Sequence, residues 1–141
     1  MTRYLLDTTP LAAYLMGRST AVSLIAPWIE AHEAVTSILV YGEIVEYLTG
    51  LPDFPARHFQ LRGLLRQIPP LFLSYSVLDR YARLRRGLRP PHGPGLIGDI
   101  DALIAATPLD RNLAIVTTDG DFRRVPELRV VLLNRQTLAP A

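Results

Sequence analysis

Short apolar runs alternate along the chain with longer segments in which apolar residues follow helical spacing. Runs typical of buried strands lie at 3–6, 33–36, 113–118 and 129–134, and a further short strand is predicted within 69–76. Helical spacing is found at 8–17, 21–32, 38–50, 57–67, 80–89 and 99–107. Strands that alternate with helices predict an α/β fold with a mainly parallel central sheet flanked by helices.

Residues at the ends of these segments favour the same boundaries. Thr8 or Thr9 is the predicted N-cap of the first helix, because a hydroxyl there can accept a bond from the first free backbone N–H groups. Ser37 is the predicted N-cap of helix 38–50, and Gly50 is suited to its end.

Length and composition indicate one globular domain over residues 1–141, of which 49% are hydrophobic. No apolar stretch has the length of a membrane span, and Asp7 interrupts the apolar N-terminal segment in a way that argues against a signal peptide. The chain has no cysteine, which excludes disulfides and thiolate metal sites. We therefore expect a cytoplasmic protein with no membrane association.

The basic residues are all arginine, 15 in number, and the net charge is only +2. Arg80, Arg83 and Arg86 recur on one side of a predicted helix, while Leu84 and Leu88 lie on another. This pattern favours a solvated helix face, and it is also compatible with nucleic-acid binding.

Three acidic residues lie at positions where the predicted fold would bring them to one cleft. Asp7 and Asp119 directly follow buried strands, and ligand sites in such sheets form beyond the carboxyl ends of the strands. In helix 38–50, Glu43 borders the apolar stripe, whereas Glu46 lies further round and is predicted to be solvated. The stripe itself consists of Val40, Ile44, Tyr47, Leu48 and Leu51.

Two more acids, Asp99 and Asp101, begin the helix 99–107. A two-residue step turns them about 200° apart on a helix, so both cannot point into one cleft. Asp101 is in phase with the packed residues Ile104 and Ala105 and is the candidate for the site. Asp99 follows Gly98 and is assigned to capping, or to support of the neighbouring ligand.

Clustered carboxylates raise one another's pKa, so an ionised cluster in a cleft needs a cation. Mg²⁺ or Mn²⁺ is the natural choice, because these hard ions prefer carboxylate oxygen and water. The sequence contains no other recognisable catalytic motif. It lacks a phosphate-binding G-x-x-x-x-G-K-[ST] loop and a G-x-S-x-G nucleophile, and its three histidines have no metal-ligand spacing.

Four motifs in order carry a family resemblance: "YLLDTTPLAAYL" (4–15), "YGEIVEYL" (41–48), "IGDIDALIAATPL" (97–109) and "AIVTTDGDF" (114–122). With these motifs the chain resembles the PIN domain family, and within it the VapC-type toxins of prokaryotic toxin–antitoxin pairs. The resemblance extends from about Tyr4 to the segment 121–131.

The resemblance implies a Mg²⁺- or Mn²⁺-dependent ribonuclease of PIN-like fold that acts on RNA. The implied catalytic and metal-binding acids are Asp7, Glu43, Asp101 and Asp119. Asp121 and Asp99 are further candidate ligands, and the hydroxyl of Thr117 or Thr118 is suited to hold a carboxylate or water. Similar toxins form homodimers and are silenced by a small, VapB-like antitoxin whose tail covers the site.

The chain departs from the family pattern at two positions. Pro108 follows "IAAT", and because proline removes a backbone donor we expect the helix to kink or stop near Thr107. The opening "DTTP" replaces a commoner Asp-Thr-Asn or Asp-Thr-Ser, which predicts different contacts around Asp7.

Two other functions compete with the nuclease. One is a catalytically silent RNA-binding or partner-binding module on the same fold, against which the presence of all four acids argues. The other is an aspartyl-phosphate phosphotransferase that uses Asp7. That class commonly carries a second aspartate two residues on, where this chain has Thr9.

Overall fold

The computed structural model describes residues 3–139, in which five strands alternate with six α-helices. The strands are β1 (Tyr4–Leu6), β2 (Ala34–Ser37), β3 (Pro70–Leu71), β4 (Ala114–Thr117) and β5 (Arg129–Leu132). The helices are α1 (Thr8–Leu15), α2 (Ser19–Glu30), α3 (Ile38–Thr49), α4 (Phe54–Leu64), α5 (Tyr75–Leu88) and α6 (Asp99–Arg111). Two 3-10 helices, Gly120–Arg124 and Arg135–Leu138, flank β5.

The five strands form one sheet in the order β3-β2-β1-β4-β5, and every neighbouring pair is parallel. In the centre, Leu5 lies level with Val35 on one side and Ile115 on the other. Pro70 begins the edge strand β3, a position that tolerates a residue without a backbone donor. The α/β fold with a parallel sheet and flanking helices is therefore confirmed.

The central strands are buried because helices cover the sheet, which explains their continuous apolar runs. Helix α5 packs on α6, and its Leu84 and Leu88 are buried. Arg83 and Arg86 are exposed, as the periodicity predicts, whereas Arg80 is half-buried. Within residues 3–139, none of the helices combines the length and the hydropathy needed to traverse a lipid bilayer.

The N-cap predictions for α1 and α6 are wrong, whereas the prediction for α3 is confirmed. The hydroxyl of Ser37 accepts a hydrogen bond from the backbone N–H of Leu39. In α1 the N-cap is Asp7, not a threonine, because its extended backbone places its carbonyl to accept from Leu11. In α6 the N-cap is Gly98, whose carbonyl accepts from Ala102 at 2.9 Å.

The predicted break at Pro108 is also wrong, since α6 continues for three further residues to Arg111. Thr107 and Pro108 are both buried, so the packed face of the helix persists through the proline. The helix ends instead at Asn112, which takes a left-handed conformation with φ 57°.

Candidate active site

Parallel strands bring the acids of the two central strands to one edge of the sheet. Strands β1 and β4 are hydrogen-bonded neighbours in the sheet. Asp7 directly follows the end of β1, and Asp119 lies two residues beyond the end of β4. The backbone N–H of Asp7 donates to the carbonyl of Val116 at 2.9 Å, which fixes Asp7 against β4. The topology thus makes neighbours of residues more than a hundred positions apart in the chain.

Asp7 is the most deeply buried of these acids, with 8% of its surface exposed. Burial is the main cause that raises the pKa of its carboxyl, and the nearby charges of Glu43 and Asp119 raise it further. Two donors oppose this effect: the hydroxyl of Thr117, which donates to Oδ2 at 2.7 Å, and the backbone N–H of Thr8. Of the two threonines considered in the sequence, it is therefore Thr117 that holds a carboxylate.

Glu43 reaches the same region from α3. Its Oε1 accepts a hydrogen bond of 2.6 Å from the hydroxyl of Thr8, and it is partly buried while Glu46 is exposed. Thr8 therefore contacts two acids, Asp7 through its backbone and Glu43 through its side chain. Sequence reasoning treated Thr8 only as a cap, although its position directly after Asp7 was the available signal.

Asp101, in the first turn of α6, faces the other acids. Burial raises the pKa of its carboxyl to about 6, and the charges of Asp119, Asp7, Glu43 and Asp121 contribute in that order. Carboxylates from four other positions therefore act on this one group, and Asp99 is not among them.

Asp119 and Asp121 form the exposed side of the cluster. The Oδ1 of Asp119 accepts from the backbone N–H of Asp121 at 2.9 Å, and its own N–H donates to the Thr117 hydroxyl at 3.0 Å. Asp121 forms an ion pair of 2.8 Å with Arg124, which also donates to the carbonyl of Leu96 at 3.1 Å. No sequence pattern indicated this use of Arg124.

Asp99 has a different environment from Asp101. It is exposed, and its carboxylate forms an ion pair with Arg85 of α5. The prediction that the two aspartates differ in environment thus agrees with the structure. The partner of Asp99 is a side chain rather than the helix N-terminus that was expected.

The donor set fits a hard divalent cation in its chemistry, because it consists of carboxylate oxygens whose mutual repulsion a cation would relieve. Within residues 3–139, no three Asp, Glu or His side chains already stand in an arrangement that encloses an ion.

Comparisons with known proteins agree with this architecture. The model of the PIN domain family matches residues 4–128, which confirms the resemblance carried by the four motifs. No curated protein sequence matches the chain significantly.

Several solved structures share the fold at low sequence identity. A chain of VapBC2 from Rickettsia felis, bound to a DNA fragment from its promoter, aligns with TM-score 0.82 and 19% identity over 94% of this chain and 100% of that one. A chain of DNA-bound VapBC from Salmonella typhimurium gives 0.81 and 16%, over 93% and 98%. A toxin–antitoxin complex from Klebsiella pneumoniae gives 0.69 and 21%, over 91% and 95%.

Proposed function

The chain belongs to the PIN domain family, and from that premise we propose that it is a divalent-metal-dependent endoribonuclease, the toxin of a type II toxin–antitoxin pair. The observation that carries the proposal is the convergence of carboxylates on Asp101, whose pKa they help to raise to about 6. Repulsion among ionised carboxylates in such a cluster destabilises the fold unless a cation neutralises it. Carboxylates with raised pKa values are typical of functional sites.

The residues that would hold Mg²⁺ or Mn²⁺ are Asp7, Glu43, Asp101 and Asp119. When bound, such an ion supplies an activated water and stabilises charge on a phosphoryl oxygen. The chain's own part is to position these acids. Thr117 orients the carboxylate of Asp7 from β4, and Thr8 orients that of Glu43 from α1.

Charged side chains support both the proposed substrate and the proposed partner. Exposed arginines of α5, among them Arg83 and Arg86, would give sequence-independent affinity for the phosphates of RNA. The acidic site suits a basic segment of an antitoxin, and the VapBC relatives of this fold were solved as complexes. We infer a VapB-like antitoxin as the partner and a homodimer as the assembly.

The test is cleavage of single-stranded RNA with and without Mg²⁺ or Mn²⁺, comparing Asp101→Asn with the matched control Asp99→Asn. The two residues lie in the same helical turn, but only Asp101 has the other carboxylates around it. We expect Asp101→Asn to lose cleavage by at least about 100-fold while it stays folded, and Asp99→Asn to keep most of it. Full activity of folded Asp101→Asn would refute the site.

The toxin assignment has its own test, because a nuclease of this fold need not be a toxin. Expression of the chain alone should arrest growth of the host cell, and co-expression with the proposed antitoxin should restore growth. Asp101→Asn should not arrest growth at an equal expression level. Arrest by this variant at full strength would separate toxicity from the proposed chemistry.

A catalytically silent binding module is the second candidate, and one observation favours it. The acids are not pre-arranged around an ion in the part of the chain that the structure describes. This alternative predicts RNA binding that EDTA leaves unchanged and no cleavage with either metal. The nuclease proposal predicts metal-dependent cleavage that EDTA abolishes.

A further inference from the structure

A groove between α1 and α3 opens beside the acids and has no role in the proposed function so far. This open groove has a volume of about 310 Å³, at the lower end of the range of small-ligand sites. Its lining includes Thr8, Thr9, Met16, Arg18, Ile44 and Tyr47.

The groove adjoins the acidic site through one contact and one helical turn. Thr8 lines the groove and also donates its hydroxyl to Glu43 at 2.6 Å. Tyr47 follows Glu43 by four residues on α3, so the two side chains lie on the same face of that helix, about 6 Å apart along its axis. A nucleotide chain that extends from a phosphate at the acids along α1 and α3 would therefore enter the groove.

The lining has the chemistry of a site for an unpaired base. Tyr47 is 51% exposed, although the hydrophobic pattern placed it in the buried stripe, so its aromatic ring is available to a ligand. Met16 and Ile44 add an apolar surface, and Thr9 adds a hydroxyl. Aromatic rings stack on unpaired bases of single-stranded RNA, and sulfur makes favourable contacts with flat rings.

A positive charge completes the groove. Arg18 lines it and forms no ion pair with any residue of 3–139. Its guanidinium is suited to a phosphate of the RNA backbone, because the planar fork donates two parallel hydrogen bonds. The groove therefore offers a stacking surface one helical turn from Glu43 and a positive charge beyond the far end of α1.

We propose that this groove holds the base of a nucleotide adjacent to the scissile phosphate, and that Tyr47 is a residue that determines which sequences are cleaved. This inference rests on the proposed ribonuclease function. It adds the subsite that reads one flanking base.

The experiment compares Tyr47→Ala and Tyr47→Phe with wild type on a pool of randomised single-stranded RNA, with sequencing of the products. The matched control is Phe59→Ala, which removes an aromatic side chain that is 82% exposed on α4. We expect Tyr47→Ala to lower kcat/KM by about 5- to 100-fold and to weaken the base preference at one flanking position. Tyr47→Phe should retain both, and Phe59→Ala should change neither.

A second measurement separates this inference from the proposed function. Binding of a fluorescent single-stranded RNA is compared in Asp101→Asn with and without Tyr47→Ala. RNA binding that needs Tyr47, together with no cleavage by wild type in either metal, keeps the subsite and refutes the nuclease. Metal-dependent cleavage with an unchanged product pattern in Tyr47→Ala keeps the nuclease and overturns the subsite. Loss of antitoxin binding with normal cleavage in Tyr47→Ala would assign the groove to a protein segment instead.

Discussion

Replacing Asp101 by asparagine should stabilise the metal-free protein, although it removes a residue of the proposed site. The carboxyl of Asp101 has a pKa of about 6 in the folded chain, against 3.8 for an unperturbed aspartate. The folded state therefore holds this proton more tightly than the unfolded state does, and ionisation of Asp101 opposes folding. The cost is complete above a pH of about 6 and disappears as the pH falls below the unfolded pKa.

The size of the effect follows from the difference between the two pKa values. That difference corresponds to about 3 kcal/mol if none of the interaction is screened. Because Asp101 is partly exposed, solvent screens its repulsion by the other acids, and we expect about 1–2 kcal/mol. The free energy of unfolding of Asp101→Asn should exceed that of wild type by this amount at about pH 8.

The assay is urea unfolding in EDTA at several values from about pH 4 to pH 8, followed through the fluorescence of Trp28, the only tryptophan of the chain. The gain should shrink as the pH falls, because wild type then carries a neutral Asp101 as well. Asp99→Asn is the control: it loses an exposed ion pair with Arg85 and should change stability by less than about 1 kcal/mol. A variant no more stable than wild type at the highest pH would refute the proposed repulsion.

Three further predictions concern the same cluster. Millimolar Mg²⁺ or Mn²⁺ should raise the melting temperature of wild type more than that of Asp101→Asn, because an ion that binds only the folded state stabilises it; equal shifts in thermal melts would argue against a site at Asp101. Thr8→Val should lower kcat/KM for RNA by about 10-fold, since Glu43 loses its hydroxyl donor, whereas Thr8→Ser should retain activity. Equal losses of kcat/KM in the two variants would show that the hydroxyl is not the cause. Thr117→Val should lower the free energy of unfolding in urea by about 1–3 kcal/mol, because it removes the buried hydroxyl that donates to Asp7 and accepts from the backbone N–H of Asp119. Thr117→Ser should recover most of this loss, and a loss below about 0.5 kcal/mol for Thr117→Val would contradict the assigned contacts.

The order of strands and helices could be predicted from the sequence, because hydrophobic periodicity is a local property that burial on one face imposes directly. The same local signals separated Glu43 from Glu46 and gave Asp7 and Asp119 their places at strand ends. They predicted too that Asp99 and Asp101 have different environments, since helical phase follows from a spacing of two residues.

Local rules failed where packing decided the outcome. Proline is expected to end a helix, yet α6 continues through Pro108 because its buried face continues through that turn. Tyr47 fits the apolar stripe of α3 by phase, but half of its surface is exposed. Periodicity predicts on which face of its helix or strand a side chain lies, but it does not show which element packs against that face.

The contacts that define the candidate site join residues far apart in the chain, and only the tertiary structure reveals them. Thr117 donates to Asp7 across 110 positions, and Thr8 donates to Glu43 across 35. The sequence by itself determined which carboxylates reach the edge of the sheet, because strand ends and helical phase are encoded locally. Which donors hold them, and how strongly they repel one another, depends on distances that are fixed only when the parallel strands align and the helices pack on them.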